Sequence, residues 1–121
     1  MHLRNIFLLT LFVSLTLSQE QLGSDIDGEF SNDRSGCAVS LSSNGDRIAI
    51  GARFNGGGDA GHVRVYEYSG GSWSQLGSDI DGEAASDYSG VSVSINADGD
   101  RVAIGASGND GNGSNSGHVR V

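Results

Sequence analysis

The sequence has no lysine, no proline and one cysteine among its 121 residues. A single thiol, Cys37, excludes an internal disulfide. Its counterpart in the internal repeat described below is Val91, which favours a small buried hydrophobic residue at this position. The sequence contains seven arginines and 15 acidic residues, so its net charge is −8. Because an acidic chain repels phosphate backbones, this balance argues against a nucleic-acid partner.

Long apolar runs are also scarce, and the one that stands out lies at the start. Residues 6–17 are apolar apart from three hydroxyl residues, Arg4 precedes them, and small residues follow in Thr16-Leu17-Ser18. This order is typical of a secretory signal peptide over residues 1–18, and it predicts a secreted protein without membrane insertion after cleavage. The alternative is a membrane anchor, but such a run spans only about 18 Å as a helix, against about 30 Å of hydrocarbon.

The rest of the chain is an internal repeat. Gln21–Glu29 recurs letter for letter at Gln75–Glu83, 54 residues later, and 21 of 32 aligned positions between 21–52 and 75–106 are identical. The sequence therefore predicts one repeat domain over residues 19–121, with a first repeat at about 21–74 and a truncated second repeat at about 75–121. Since the second repeat stops inside a predicted strand, we expect a fragment of a longer repeat protein or an assembly of several chains.

Each repeat has the pattern of β-strands joined by tight turns. We predict strands over 36–42, 47–52, 62–68 and 73–76, with the hairpin dipeptide Asn44-Gly45 between the first two. One face of the first two strands is large and the other is small, and neither is charged; the large set is Val39, Leu41, Ile48 and Ile50, and the small set is Ala38, Ser40, Ala49 and Gly51. Burial of both faces is expected. The predicted fold is all-β, with about two four-stranded antiparallel blades of a β-propeller-type repeat.

The same residues resemble a known family. The string from Gly90 to Ala106, followed by Asn109-Asp-Gly-Asn-Gly and by 117–121, is similar to an FG-GAP repeat, the unit of the integrin α-subunit β-propeller. The first repeat resembles it through 36–52 and 61–68. The resemblance implies a non-enzymatic module for extracellular adhesion or recognition of a protein or glycan. The family's calcium loop is reduced here to a short hairpin, which offers too few oxygens for six to eight ligands.

Repeated carboxylates supply the candidate metal ligands. Asp25, Asp27, Asp79 and Asp81 flank an isoleucine in each repeat, and clustered oxygens are what Ca²⁺ prefers. The alternative interpretation is a turn that joins the last strand of one blade to the next. A glycosidase pair is disfavoured because the same acids recur in matching contexts, whereas a catalytic pair needs two different environments.

Other positions give weaker signals. The equivalent His62 and His118 are expected to be structural strand residues, because no second histidine or cysteine lies at ligand spacing. The loops 54–60 and 107–116 are expected to carry binding residues, and Asn112-Gly113-Ser114 is a glycosylation sequon. Two alternatives stay open: a calcium-stabilised extracellular structural module, and part of a propeller hydrolase with catalytic residues elsewhere.

Overall fold

The computed structural model describes residues 19–121, and the predicted signal peptide lies outside this range. Within it the chain is all-β, and no helix is long and apolar enough to span a membrane. The strands are β1 (Ala38–Leu41), β2 (Arg47–Ala52), β3 (His62–Ser69), β4 (Ser72–Gln75), β5 (Ile80–Asp81), β6 (Ser89–Ile95), β7 (Val102–Ala106) and β8 (His118–Arg120).

The first repeat forms an antiparallel sheet in the order β1-β2-β3-β4, which we call the first blade. The predicted strands are confirmed to within two residues at each end. Gly45 closes the hairpin between β1 and β2 with a φ of 76°, a left-handed conformation that glycine adopts without strain. The short strand β5 also pairs with β3, through His62 opposite Asp81 and Val63 opposite Ile80. The start of the second repeat is therefore hydrogen-bonded to the first blade.

The second repeat forms the antiparallel sheet β6-β7-β8, which we call the second blade. Its register matches that of the first blade, with Val93 opposite Ile104 where the first blade has Val39 opposite Ile50. A bulge between Ser89 and Ser92 interrupts the ladder near the start of β6. The two sheets are thus copies of one antiparallel unit, as the repeat predicts.

The core lies between the blades, where the small face of the first meets the large face of the second. Ala49 and Val63 are fully buried, and they pack with Ile95 and Ile104. Gly51 also faces the second blade, since a Cβ at this position would clash with the carbonyl oxygen of Gly90. Small residues therefore allow the sheets to approach closely, and the large aliphatic side chains fill the remaining space.

The expectation that both faces of the first blade are buried is wrong for two residues of its large face, Val39 and Leu41. Val39 is 58% exposed and Leu41 is 57% exposed, whereas their counterparts Val93 and Ile95 contribute to the core. The physical reason is position in the stack, because the described residues place no sheet against this side. The large face of the first blade is consequently open to solvent at Val39 and Leu41, whereas Ile50 is 7% exposed.

The expectation for Cys37 is also wrong. The residue is exposed, at the rim of the first blade just before β1. Its Sγ lies 3.5 Å from the carbonyl oxygen of Gly51 and 3.6 Å from that of Gly90. The thiol thus contacts both blades from their shared edge, where the packing ends, instead of filling the core.

Candidate functional site

Two loops at one end of the first blade are held together by a buried side-chain pair. Asn55 Nδ2 donates to Asp33 Oδ2 over 2.8 Å, and the amide of Phe30 donates to the same oxygen over 3.0 Å. Asp33 is 6% exposed and Asn55 is 8% exposed. Because a buried carboxylate requires such donors, this pair fixes the loop before β1 against the loop after β2.

The second repeat contains the same pair. Asn109 Nδ2 donates to Asp87 Oδ2 over 3.0 Å, and the amide of Ala84 donates to that oxygen over 3.2 Å. Asp87 is 2% exposed. Since both partners recur at the 54-residue offset, the alignment contained this signal, although the sequence analysis did not single out these residues. The repeated pair is a structural device that shapes the loop end of each blade.

The segment that begins the second repeat is attached to the first blade by Arg64. Arg64 Nε and Nη2 donate to the two oxygens of Asp79 over 2.7 and 2.8 Å, and Nη2 also lies 2.5 Å from Glu29 Oε1. The hydrogen bonds from Arg64, aided by one from Gln75, lower the pKa of Asp79 to about 2, although burial opposes this shift. The same contacts with Asp79 and Glu29 raise the pKa of Arg64 above its ordinary value. One guanidinium thus joins carboxylates from the starts of both repeats.

His62 lies beneath this ion cluster. Its side chain is 5% exposed, and Nδ1 lies 3.6 Å from Glu29 Oε1 and 3.8 Å from Asp79 Oδ2. These distances exceed those of a hydrogen bond. Glu29, His62 and Asp79 bring ligand atoms within 4.8 Å of one another. No sequence pattern indicates this group, because its members are far apart in the chain and belong to three different segments.

An open cleft of about 810 Å³ lies above the cluster, between the two loops. Its wall includes five carboxylates, the aromatic rings of Phe30 and Phe54, and the amide of Asn55; the carboxylates belong to Glu29, Asp33, Asp59, Asp79 and Asp81. Arg64 contacts two of these carboxylates, Asp79 and Glu29, and the remaining carboxylates make the cleft acidic. Such a surface accepts hydrogen bonds from hydroxyl, amide and ammonium groups, and it repels anions.

Phe54 anchors one side of the cleft to the second blade. Its ring meets Tyr88 edge-on with centroids 5.8 Å apart, and the guanidinium carbons of Arg34 and Arg53 lie 4.9 and 4.7 Å from its centre. Arg34 and Tyr88 both have positive φ, at 54°, in equivalent positions of the two repeats. These contacts restrict Phe54, and the buried pair of Asp33 and Asn55 joins the two loops, so these two parts of the cleft are preorganised.

The predicted metal ligands do not converge on one point. Asp79 is engaged by Arg64, Asp81 lies in β5 at the cleft wall, and Asp25 accepts a hydrogen bond from Gln21 Nε2 over 2.8 Å. Asp27 is exposed. Among residues 19–121, the group of three potential ligands that the structure assembles contains Asp79 and none of the other three. The calcium assignment to these four residues stays a prediction.

The chemistry of the group of Glu29, His62 and Asp79 does not fit Ca²⁺. Calcium takes six to eight oxygen ligands, while this group offers two carboxylates and an imidazole. Arg64 already places a positive charge between the carboxylates. A dication at this point would be repelled by the guanidinium, so we assign the cluster a structural role.

The remaining predicted positions lie away from the cleft. Asn112 is in the exposed loop between β7 and β8, where a glycan would not meet the core, and its glycosylation stays a prediction. His118 is half-buried at the start of β8, in the position that corresponds to His62 in β3.

Comparison with known proteins gives one match. Residues 79–121 match the family model of the FG-GAP repeat. The match covers β5 and the whole second blade, and the first repeat is tied to it by internal identity. Searches found no matching curated protein and no matching solved structure.

Proposed function

Because residues 79–121 are an FG-GAP repeat and the first blade is its internal copy, we propose that the chain is an extracellular binding module of the propeller class. Its task is recognition of a protein or glycan by the cleft at the loop end of the first blade. The observation that carries the proposal is the joint presence of acidic, amide and aromatic groups in one cleft. These are the groups that binding sites use to orient a ligand.

The charge of the cleft defines the ligand class. Carboxylates at its wall accept hydrogen bonds from sugar hydroxyls or from lysine and arginine side chains, and Phe30 and Phe54 offer apolar surface. Sulfated and phosphorylated ligands are disfavoured by repulsion. We therefore propose neutral or basic partners, such as unsulfated glycans or a basic protein surface.

The proposal assigns no catalysis to the chain. Both oxygens of Asp79 accept hydrogen bonds from Arg64, of 2.7 and 2.8 Å, and Asp33 accepts one from Asn55. A general acid needs a raised pKa, whereas the pKa of Asp79 is lowered. This distribution favours a binding surface over the hydrolase alternative. Activity assays on glycoside substrates should show no turnover above that of a variant with Asp79→Asn.

The proposed location is outside the cell. FG-GAP repeats typically occur in extracellular proteins, and residues 1–18 carry the pattern of a secretory signal. Fusion of residues 1–18 to a reporter tests this directly. Export with cleavage before Gln19 is the expected result, and retention of the reporter in the cell would contradict it.

The binding proposal is tested on a glycan array and on purified extracellular matrix proteins, with the labelled chain as the probe. Phe30→Ala and Asp81→Asn alter exposed cleft residues without removing core contacts, so each should reduce binding. Asp98→Asn makes the matched charge change in the hairpin between β6 and β7 of the second blade, outside the cleft lining. Equal binding by all three variants, or binding restricted to sulfated glycans, would overturn the proposal.

A further inference from the structure

Arg120 occupies in the second blade the place that Arg64 occupies in the first, but its set of partners is incomplete. Arg120 Nη1 lies 3.6 Å from Glu83, as Arg64 lies against Glu29, and Nη2 donates to the carbonyl oxygen of Asp81 over 2.5 Å. Arg64 Nε donates to Asp79, whereas Arg120 Nε is buried and has no hydrogen-bond partner within residues 19–121. A buried guanidinium nitrogen needs an acceptor, and a carboxylate placed as Asp79 is placed against Arg64 would supply one.

A carboxylate with the required form exists at the other end of the repeat array. Asp25 stands in the nine-residue segment Gln21–Glu29, which is identical to the segment that carries Asp79. Gln21 Nε2 binds Asp25 Oδ1 over 2.8 Å, just as Gln75 Nε2 binds Asp79 Oδ1 over 2.7 Å. Asp25 therefore shares this local contact with Asp79, with no arginine against it among the described residues.

The two outer faces of the molecule correspond to the two faces that pack against each other between the blades. The large face of the first blade is uncovered at Val39 and Leu41. Ser92 and Ser94, on the small face of the second blade, are exposed. Their counterparts inside the chain, Val93 with Ile95 and Ala38 with Ser40, belong to the faces that already pack together. The large face of the first blade and the small face of the second blade could therefore pack together as the two inner faces do.

We propose that a second copy of this chain docks head to tail through these surfaces. The large face of its first blade covers the small face of the second blade of the first molecule. Its segment Gln21–Glu29 lies beside β8 as Gln75–Glu83 lies beside β3, and its Asp25 pairs with Arg120. Because the two surfaces differ, the contact is heterologous, and repetition leads to a closed ring or to an open filament.

The charge pair supplies a sharp test with the full chain. Asp25→Arg and Arg120→Asp each place like charges opposite one another, so each variant alone should self-associate about tenfold more weakly than the wild type. In a mixture of the two variants, the introduced arginine of one meets the introduced aspartate of the other, and the next contact pairs the native Asp25 with the native Arg120. The mixture should therefore assemble about as strongly as the wild type, although each component alone assembles about tenfold more weakly. The measurement is sedimentation velocity over a wide concentration range.

Two further variants separate this docking from other association. Glu20→Arg makes the same change of charge in the exposed stretch before Gln21, where the described residues show no partner, and it should leave assembly unchanged. Val39→Asp places a charge on the large face and should weaken assembly at least as much as Asp25→Arg. Circular dichroism that matches the wild type shows that each variant is folded.

The assembly of the wild type, of the single variants and of their mixture decides the proposal. Concentration-dependent assembly that is weakened about tenfold in each single variant and regained in the mixture supports the proposal. A wild-type monomer at all concentrations overturns it, including the case in which residues 1–18 or another part of the natural protein cover the large face. Assembly that is indifferent to both charge variants overturns it as well.

Discussion

Arg64 and Asp79 form a bidentate ion pair, with Nε–Oδ1 and Nη2–Oδ2 distances of 2.7 and 2.8 Å. Arg64 belongs to β3 of the first blade, while Asp79 directly precedes β5 at the start of the second repeat. The pair therefore fixes where the chain leaves one blade for the next. Bidentate geometry restricts both position and orientation, which a single contact does not. The acidic segment Gln75–Glu83 is thus the joint between the two blades.

The joint predicts an acid-dependent loss of stability. The pKa of Asp79 falls from 3.8 in its ordinary state to about 2 in the fold. A carboxylate with a lowered pKa stabilises the fold above its unfolded pKa, and this contribution disappears as the pH falls from about 4 to about 2. The loss should amount to about 1 to 2 kcal/mol, because the partly exposed pair is screened by solvent. Urea unfolding between pH 7 and pH 2 measures it.

Asp79→Asn provides the control for this titration. The variant should be less stable than the wild type at pH 7 and should lose less further stability on acidification. Arg64→Gln should flatten the same part of the curve, because it removes the first cause of the lowered pKa. An unchanged acid limb in both variants would show that other carboxylates govern it.

Close approach of the blades predicts a strong effect at Gly51. Gly51→Ala would place a methyl group against the carbonyl of Gly90 in the second blade. We expect a loss of about 2 kcal/mol or more in the free energy of unfolding, because backbone cannot move aside without opening the interface. Gly57→Ala is the matched control, since a Cβ there meets nothing within 4 Å. Equal effects in thermal unfolding would contradict the packing described here.

The buried clamp of the second repeat gives a third prediction. Asn109→Ala removes the donor to Asp87, which is 2% exposed, and leaves a buried carboxylate short of a hydrogen bond. The expected cost is about 1 to 3 kcal/mol. Asn112→Ala, in the exposed part of the same loop, should change stability by less than about 0.5 kcal/mol. Chemical denaturation of protein made without glycosylation compares the two.

Calcium binding is the fourth prediction, and it concerns the carboxylates of both repeats. Arg64 and Gln75 already engage Asp79, so a cation must displace them. We therefore expect calorimetry to give a dissociation constant of about millimolar or weaker, at the low-affinity end of protein calcium sites. Micromolar binding that disappears with Asp79→Asn would restore Asp25, Asp27, Asp79 and Asp81 as a true metal site.

Much of the fold was contained in the sequence. The strands at 47–52 and 62–68 and the hairpin at Gly45 follow from alternation and turn residues, because these signals are local. The repeat predicted two equivalent sheets, and the structure contains them. The FG-GAP match agrees with the resemblance that these residues carry.

The candidate site was not predictable in the same way. Glu29, His62 and Asp79 meet only because β5 returns to pair with β3, and no local pattern specifies that pairing. The exposed state of Val39 has a related cause, since alternation indicates that a face is apolar but not whether this chain covers it. The burial predicted for Cys37 was wrong because the apolar counterpart Val91 indicates which residue type the position accepts. It does not indicate how exposed that position is at the edge of the blade.

The central claim is that the two repeats stack as blades, with the small face of the first on the large face of the second. Nuclear Overhauser contacts between the methyl group of Ala49 and those of Ile95 and Ile104 test it most directly, since these residues share the core. We predict strong contacts within one molecule, measured in a sample with isotope-labelled chains diluted in unlabelled ones. Absence of these contacts in a folded sample, with Ala49 instead near Ile48 or Ile50 of another chain, would contradict the account.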